Sequence, residues 1–118
     1  MKKNISPHVQ IYSFPITAIS SITTRITGLA LTGMYTSMGI SLLCNISLYD
    51  YYKKLDHYTK KVIHYTTIFP CVYHSYGGIR HFIWDGQPKY LTNKNVARSS
   101  YFLFGSSILT TILLEKQL

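Results

Sequence analysis

"ITGLALTGMYTSMGISLLCNISLY", residues 26–49, carries no formal charge. The chain as a whole has 118 residues, twelve Lys and Arg, four Asp and Glu and a net charge of +8. The charges are therefore sorted along it. About 20 consecutive apolar residues at 1.5 Å each span the roughly 30 Å of bilayer hydrocarbon, and residues 26–49 are long enough. Two more stretches read alike: in 62–79 only His64 and His74 can carry a charge, and 99–114 has none. The pattern predicts an all-α, integral membrane protein with three transmembrane helices and a short N-terminal interfacial segment. It forms a single membrane-anchor domain over 1–118, with spans at approximately 20–48, 62–84 and 97–115. The third run is short, and Arg98 and Lys116 can lengthen it by snorkelling to the head groups.

A basic chain with only Asp50, Asp56, Asp85 and Glu115 as acids suits an anionic partner, either nucleic acid or lipid head groups. A nucleic-acid domain would spread its cations over helix faces. Here they lie mostly between the apolar runs, which points to a lipid bilayer and no nucleic acid. Met1-Lys-Lys-Asn leads into polar "SPHVQIY" (6–12), so no signal peptide is expected. Cys44 and Cys71 fall inside spans without metal-ligand spacing and read as small buried apolar residues, not a disulfide. No phosphate-binding loop, nucleophile elbow or dinucleotide fingerprint is present.

Punctuation sets the organisation. Pro15 suits the start of a helix that opens with "ITAISSITTRITG" (16–28). "DYYKKLDHYTKK" (50–61) connects the first two spans, its Tyr and Lys residues suiting the interface. "DGQPKYLTNKN" (85–95) connects the last two, and Pro70 is expected to kink the second. With antiparallel spans, Ser21, Thr24 and Arg25 are expected at the depth of Arg80, His81 and Asp85. Seven cations (Lys2, Lys3, Arg25, Arg80, Lys89, Lys94, Arg98) fall on that side and five (Lys53, Lys54, Lys60, Lys61, Lys116) on the other. The excess favours an N-terminus on the matrix or cytoplasmic side.

Two clusters carry candidate chemistry. In "HSYGGIRHFIWD" (74–85), His74, Gly78, His81 and Asp85 are spaced by four, three and four, which puts them on one helix face. A neutral imidazole in a membrane interior is a good axial ligand for haem iron. Gly77 and Gly78 remove side chains where a flat macrocycle needs to approach, and Arg25, Arg80 and His81 are cations available for its propionates. The same histidine can instead bond a neighbouring helix, with Gly-Gly as a packing surface and Arg80 as an interfacial anchor; spacing leaves both open. In "SSITTRITG" (20–28), Ser21, Arg25 and Gly28 share a face and offer a hydroxyl, a permanent positive charge and a gap. A quinone needs apolar walls and a few donors, and its oxygens gain negative charge on reduction. Arg25 can equally mark a helix end. His64 is assigned no role, and His8 and His57 read as solvated loop residues.

Taken together, "SPHVQIY" (6–12), "SITTRITG" (21–28) and "HSYGGIRHFIWD" (74–85) resemble the membrane-anchor cytochrome b subunit of succinate dehydrogenase, respiratory complex II. That family carries a Ser-Pro-His start, Ser-Ile-x-x-Arg-x-x-Gly at its first span and His-x-x-x-Gly-x-Arg-His followed by an aspartate at the end of its second. The three motifs cover about a third of the chain, in order; the third span matches only in being hydrophobic. The resemblance implies a subunit of the mitochondrial inner membrane, or of a bacterial cytoplasmic membrane, that is no enzyme on its own. It implies partnership with a second small membrane-anchor subunit, an iron-sulfur subunit and a flavoprotein subunit, and passage of electrons to ubiquinone. By motif position, Ser21, Arg25 and Asp85 belong to the quinone site. His74 is an axial ligand of a b-type haem shared with the partner subunit, with His81, Arg25 and Arg80 around that haem. One position departs: Thr24 stands where the family usually has histidine, and a hydroxyl donates a hydrogen bond but does not titrate near neutral pH. That departure motivates an alternative, a purely structural anchor without haem or quinone chemistry.

Overall fold

The computed structural model of the chain describes residues 13–118; the Ser-Pro-His motif at 6–8, with Lys2 and Lys3, lies outside the described residues. The described residues form four α-helices, α1 (Ile16–Leu43), the short α2 (Leu48–Lys53), α3 (His57–Gly86) and α4 (Asn93–Glu115), with one 3₁₀ turn at Pro88–Tyr90. No strand occurs among the described residues.

Local chemistry accounts for the boundaries. Pro15 is the N-cap residue of α1 in extended conformation; its fixed φ suits a helix entry, where its missing N–H costs nothing. α1 stops at Leu43, short of the expected boundary near 48. Asn45 adopts positive φ (54°), its N–H donates to Leu42 O at 3.2 Å, and Ile46 N–H donates to Ser41 O at 2.8 Å. This pair of bonds closes a helix in a Schellman motif, and Asn tolerates the left-handed position better than most residues. Cys44 is consequently exposed at the helix end and not buried, and both cysteines are free.

The connector 50–61 is more helical than its composition suggests. Asp56 accepts the Thr59 amide at 3.1 Å, an N-cap that starts α3 at His57. Thr92 caps α4 by accepting the Asn95 amide at 3.4 Å. α3 continues through Pro70. It is the central helix, packing against both α1 and α4, while α1 and α4 also touch.

Apolar residues are distributed inside out. Among the described residues, Tyr73 and Leu103 are the buried hydrophobics, while Leu29 is 75% and Phe82 79% exposed. The helix seams are instead lined by Ser20, Thr27, Ser41, Ser100, Ser107, Thr111 and Gly77. Small hydroxyl residues allow close approach of helices in lipid, where apolar packing has no advantage over acyl chains. Most of these hydroxyls satisfy themselves on the preceding turn, as with Thr27 to Thr23 O, Ser41 to Ser37 O, Ser100 to Val96 O and Thr111 to Ser107 O. Among the described residues, α1 is the one helix long and apolar enough to cross a membrane by composition. α3 and α4 are 30 and 23 residues long. Their hydroxyls and their Lys, Arg and Asp residues, which lie near the helix ends, lower their average apolarity.

Candidate functional site

Ser20, Thr24 and Thr27 recur at four and three along α1 and so line one seam, facing α3. Thr24 Oγ1 donates to Ser20 O at 2.9 Å, leaving the Thr24 carbonyl to a partner on α3: His74 Nδ1 lies 3.1 Å from it. A carbonyl can only accept, so Nδ1 carries the proton. An imidazole whose one proton sits on Nδ1 keeps its lone pair on Nε2, the tautomer in which Nε2 is the ligating atom. Thr27 Oγ1, 3.5 Å from the same Nδ1, borders the ring.

Gly28 is the floor of this arrangement. A Cβ added there would stand 2.9 Å from His74 Cε1, closer than carbon atoms pack, so the ring lies in space that only glycine leaves. Gly77 is buried against the Thr24 side chain, its notional Cβ 3.7 Å from Oγ1; it brings α3 close to α1. A Cβ at Gly78 would meet nothing within 4 Å, so that side of α3 is clear beside the imidazole. Sequence reading assigned the close approach to Gly77 and Gly78. The glycine directly beneath the histidine is Gly28, from the other motif.

The two clusters thus meet, in a register different from the expected one. Thr24 is level with His74 and Gly77, and Ser20 with Arg80. Arg25 is therefore nearer the depth of His74 than that of His81. Ser21 and Arg25 are exposed on α1 beside the seam, and the helical spacing puts them on the Gly28 flank. His81 is exposed with its ring edge-on to Trp84 at 5.3 Å. Asp85 is exposed in the last turn of α3.

Arg80 points elsewhere. Its Nη2 donates to Ser20 Oγ on α1 and its Nη1 to Ser100 Oγ on α4, both at 3.1 Å. Trp84 lies over the guanidinium at 4.6 Å. The Tyr73 hydroxyl also donates to Ser20 Oγ at 3.2 Å. Ser20, Tyr73, Trp84 and Ser100 were not singled out from the sequence. The usable signal was Arg80 itself, because a guanidinium within a membrane helix must find partners. One groove borders this node and a second lies nearer the opposite end of the bundle. The first, of about 530 Å³ between α3 and α4, is lined by residues including Tyr76, Arg80, Trp84 and Phe102. The second, of about 660 Å³, is lined by residues including Thr27, Phe69, Pro70 and Ile108.

Comparison with known proteins fits this geometry. A family model described as succinate dehydrogenase/fumarate reductase transmembrane subunit matches residues 1–114. A mitochondrial succinate dehydrogenase cytochrome b560 subunit of Dictyostelium discoideum is 33% identical over 91% of this chain and 58% of its own length. The human protein of that name is 34% identical over 69% of this chain and 52% of its own. A succinate dehydrogenase cytochrome b560 subunit of Reclinomonas americana is 32% identical over 96% of this chain and 84% of its own length. The chain thus spans little more than half the length of the first two relatives. Their mitochondrial designation and the transmembrane nature of the family put it in the mitochondrial inner membrane. The matched span, the seam of small residues and the pairing of both motifs across α1 and α3 lead to one assignment: the chain belongs to the succinate dehydrogenase/fumarate reductase transmembrane subunit family.

Proposed function

We propose that this chain is a membrane-anchor subunit of a succinate:quinone oxidoreductase, with α1, α3 and α4 crossing the membrane. At 1.5 Å per residue these helices measure about 42, 45 and 34 Å, each more than the roughly 30 Å of hydrocarbon. Their apolar, outward-facing surfaces suit lipid and a second membrane-anchor subunit. The flavoprotein and iron-sulfur subunits would dock at the end that holds Ser21, Arg80 and Asp85.

The observation that carries the reading is His74, held by the Thr24 carbonyl over Gly28 with Nε2 left free. His74 would hold a b-type haem through Nε2, and nothing within 4 Å of a Cβ at Gly78 would obstruct it on that side. When bound, the haem would supply a one-electron redox centre. What the chain itself does is fix the ring: the Thr24 carbonyl sets the tautomer and Gly28 the depth. Arg25 and His81, both exposed on the flanks of α1 and α3, are the groups of this chain for anionic propionates. For ubiquinone, Ser21 would donate to one oxygen and Arg25 would hold a fixed positive charge where negative charge develops on reduction. Asp85, nearer the membrane surface, would take part in proton supply.

Thr24 stands where the family usually has histidine, and in this structure its backbone positions His74 while its side chain packs on Gly77. A purely structural histidine would make the same hydrogen bond, so the spectrum decides. His74→Ala in the assembled complex should abolish or strongly alter a low-spin b-type spectrum, because iron loses an axial ligand. An unchanged spectrum would remove His74 from the site and leave the structural anchor as the better reading.

A further inference from the structure

The geometry points to Arg80 as a positioning residue: by clamping Ser20 of α1 and Ser100 of α4 to α3, it sets where Ser21 and Arg25 stand relative to His74. This rests on the quinone reading of Ser21 and Arg25 and adds to it a residue that touches neither the quinone nor the haem.

One planar guanidinium on α3 reaches a hydroxyl on each of the other two long helices, both at 3.1 Å, a geometry that needs two donors in a fixed fork. Both serines are fully buried, so water does not compete for them. Ser20 is held a second time from α3, two turns away, by Tyr73 through its hydroxyl at 3.2 Å and its carbonyl at 3.3 Å. Trp84 covers the guanidinium. Among the described residues, no acid neutralises Arg80; its partners are two hydroxyls and a ring.

The clamp is wired to the site through the shortest covalent route. Ser21 follows Ser20 directly, and Thr24, whose carbonyl holds His74, is one turn further and returns its hydroxyl to Ser20 O. Rotation or sliding of α1 against α3 at Ser20 therefore moves Ser21, Arg25 and the acceptor of His74 together. Misplacement of reacting groups by about 1 Å is enough to slow a reaction by orders of magnitude.

A positioning role and a direct electrostatic role separate cleanly by substitution. Ser20→Ala and Ser100→Ala keep the charge and break the clamp; Arg80→Lys keeps the charge but replaces the two-nitrogen planar fork with a single, shorter-reaching ammonium nitrogen. The clamp predicts that all three raise the KM for a short-chain ubiquinone, by roughly 3- to 10-fold for a lost hydrogen bond, with succinate:dye activity as the assembly control. Ser20→Ala should also shift the low-spin haem spectrum through Thr24 and His74. Combining Arg80→Lys with Ser20→Ala should cost less than the sum of the two single losses, because both break the Arg80–Ser20 bond. Wild-type quinone KM in Ser20→Ala and Ser100→Ala, or additive losses in the double variant, would overturn the clamp. If Arg80→Lys does not assemble, the two serine variants decide alone. A normal Arg25→Leu would instead fault the quinone reading on which the clamp rests.

Discussion

The two ends of the helix bundle use similar residues in opposite ways. Where α1 begins and α3 ends, polar side chains turn inward: Ser20, Tyr73, Arg80 and Ser100 bond across three helices, over sequence separations of 53, 60 and 20 residues. Where α1 ends and α3 begins, they are mostly exposed and act over short sequence separations, except that the exposed Tyr65 hydroxyl of α3 donates to Glu115 of α4 at 3.3 Å. Lys53, Lys54 and Lys60 lie 4.3, 5.9 and 5.4 Å from the ring centroids of Tyr49, Tyr51 and Tyr52. Asp56 caps its own helix, and the Thr59 hydroxyl and amide hold its carboxyl below the ordinary value of 3.8. Tyr52 donates to or accepts from His64 Nε2 at 2.8 Å. Exposed cation–π pairs contribute about 0.5–1 kcal/mol each, and their members are interchangeable. Buried interhelical bonds are not, because a lost partner strands the other in a dry seam. The contrast supports the proposal that the chemistry sits at the first end.

The comparison breaks most readily at Gly28. Replacing it with Val places atoms where the His74 ring now lies, so the low-spin haem signal should disappear from a reduced-minus-oxidised spectrum of the complex. Gly33→Ala, where an added Cβ meets nothing within 4 Å, should leave the signal intact. Equal behaviour of the two glycines would mean that the ring is not confined as described. At the other end the expected effect is small: Tyr52→Phe should change quinone turnover by less than about twofold and stability by about 1 kcal/mol, the range for one hydrogen bond, as read by activity and thermal inactivation. A loss comparable to that of Ser20→Ala would show that both ends are coupled to the site.

What was legible in the sequence follows the same division. The uncharged run at 26–49 announced a long helix, because hydrocarbon excludes formal charge at every position. Its end was missed because the stop is a backbone event: Asn45 in the left-handed region is one polar residue in a run chosen for lacking charge. The two motif clusters were visible as helical faces. Their register was not, since spacing within each helix says nothing about how two helices slide against each other; contacts such as Thr24 with His74 decide that. Arg80 was assigned to propionates because they are anionic. Its hydroxyl partners, Ser20 and Ser100, were two among many serines, and only packing selects them. Gly28 was read as a gap on the face it shares with Ser21 and Arg25, yet what fills that gap is a ring from α3.

The central claim is the proposal that the flank of α1 beside His74 binds the quinone that the complex reduces, with Arg25 as the fixed positive charge beside it. The field of its guanidinium would favour the reduced, more negative state of a bound quinone over the neutral one. The direct measurement is the ratio of succinate:ubiquinone to succinate:dye activity in assembled Arg25→Leu complex. The account predicts that dye reduction stays near wild type while quinone reduction falls by roughly 10- to 1000-fold, the range for removing one preorganised charge-stabilising group. An unchanged ratio would contradict it and make Arg25 an interfacial anchor.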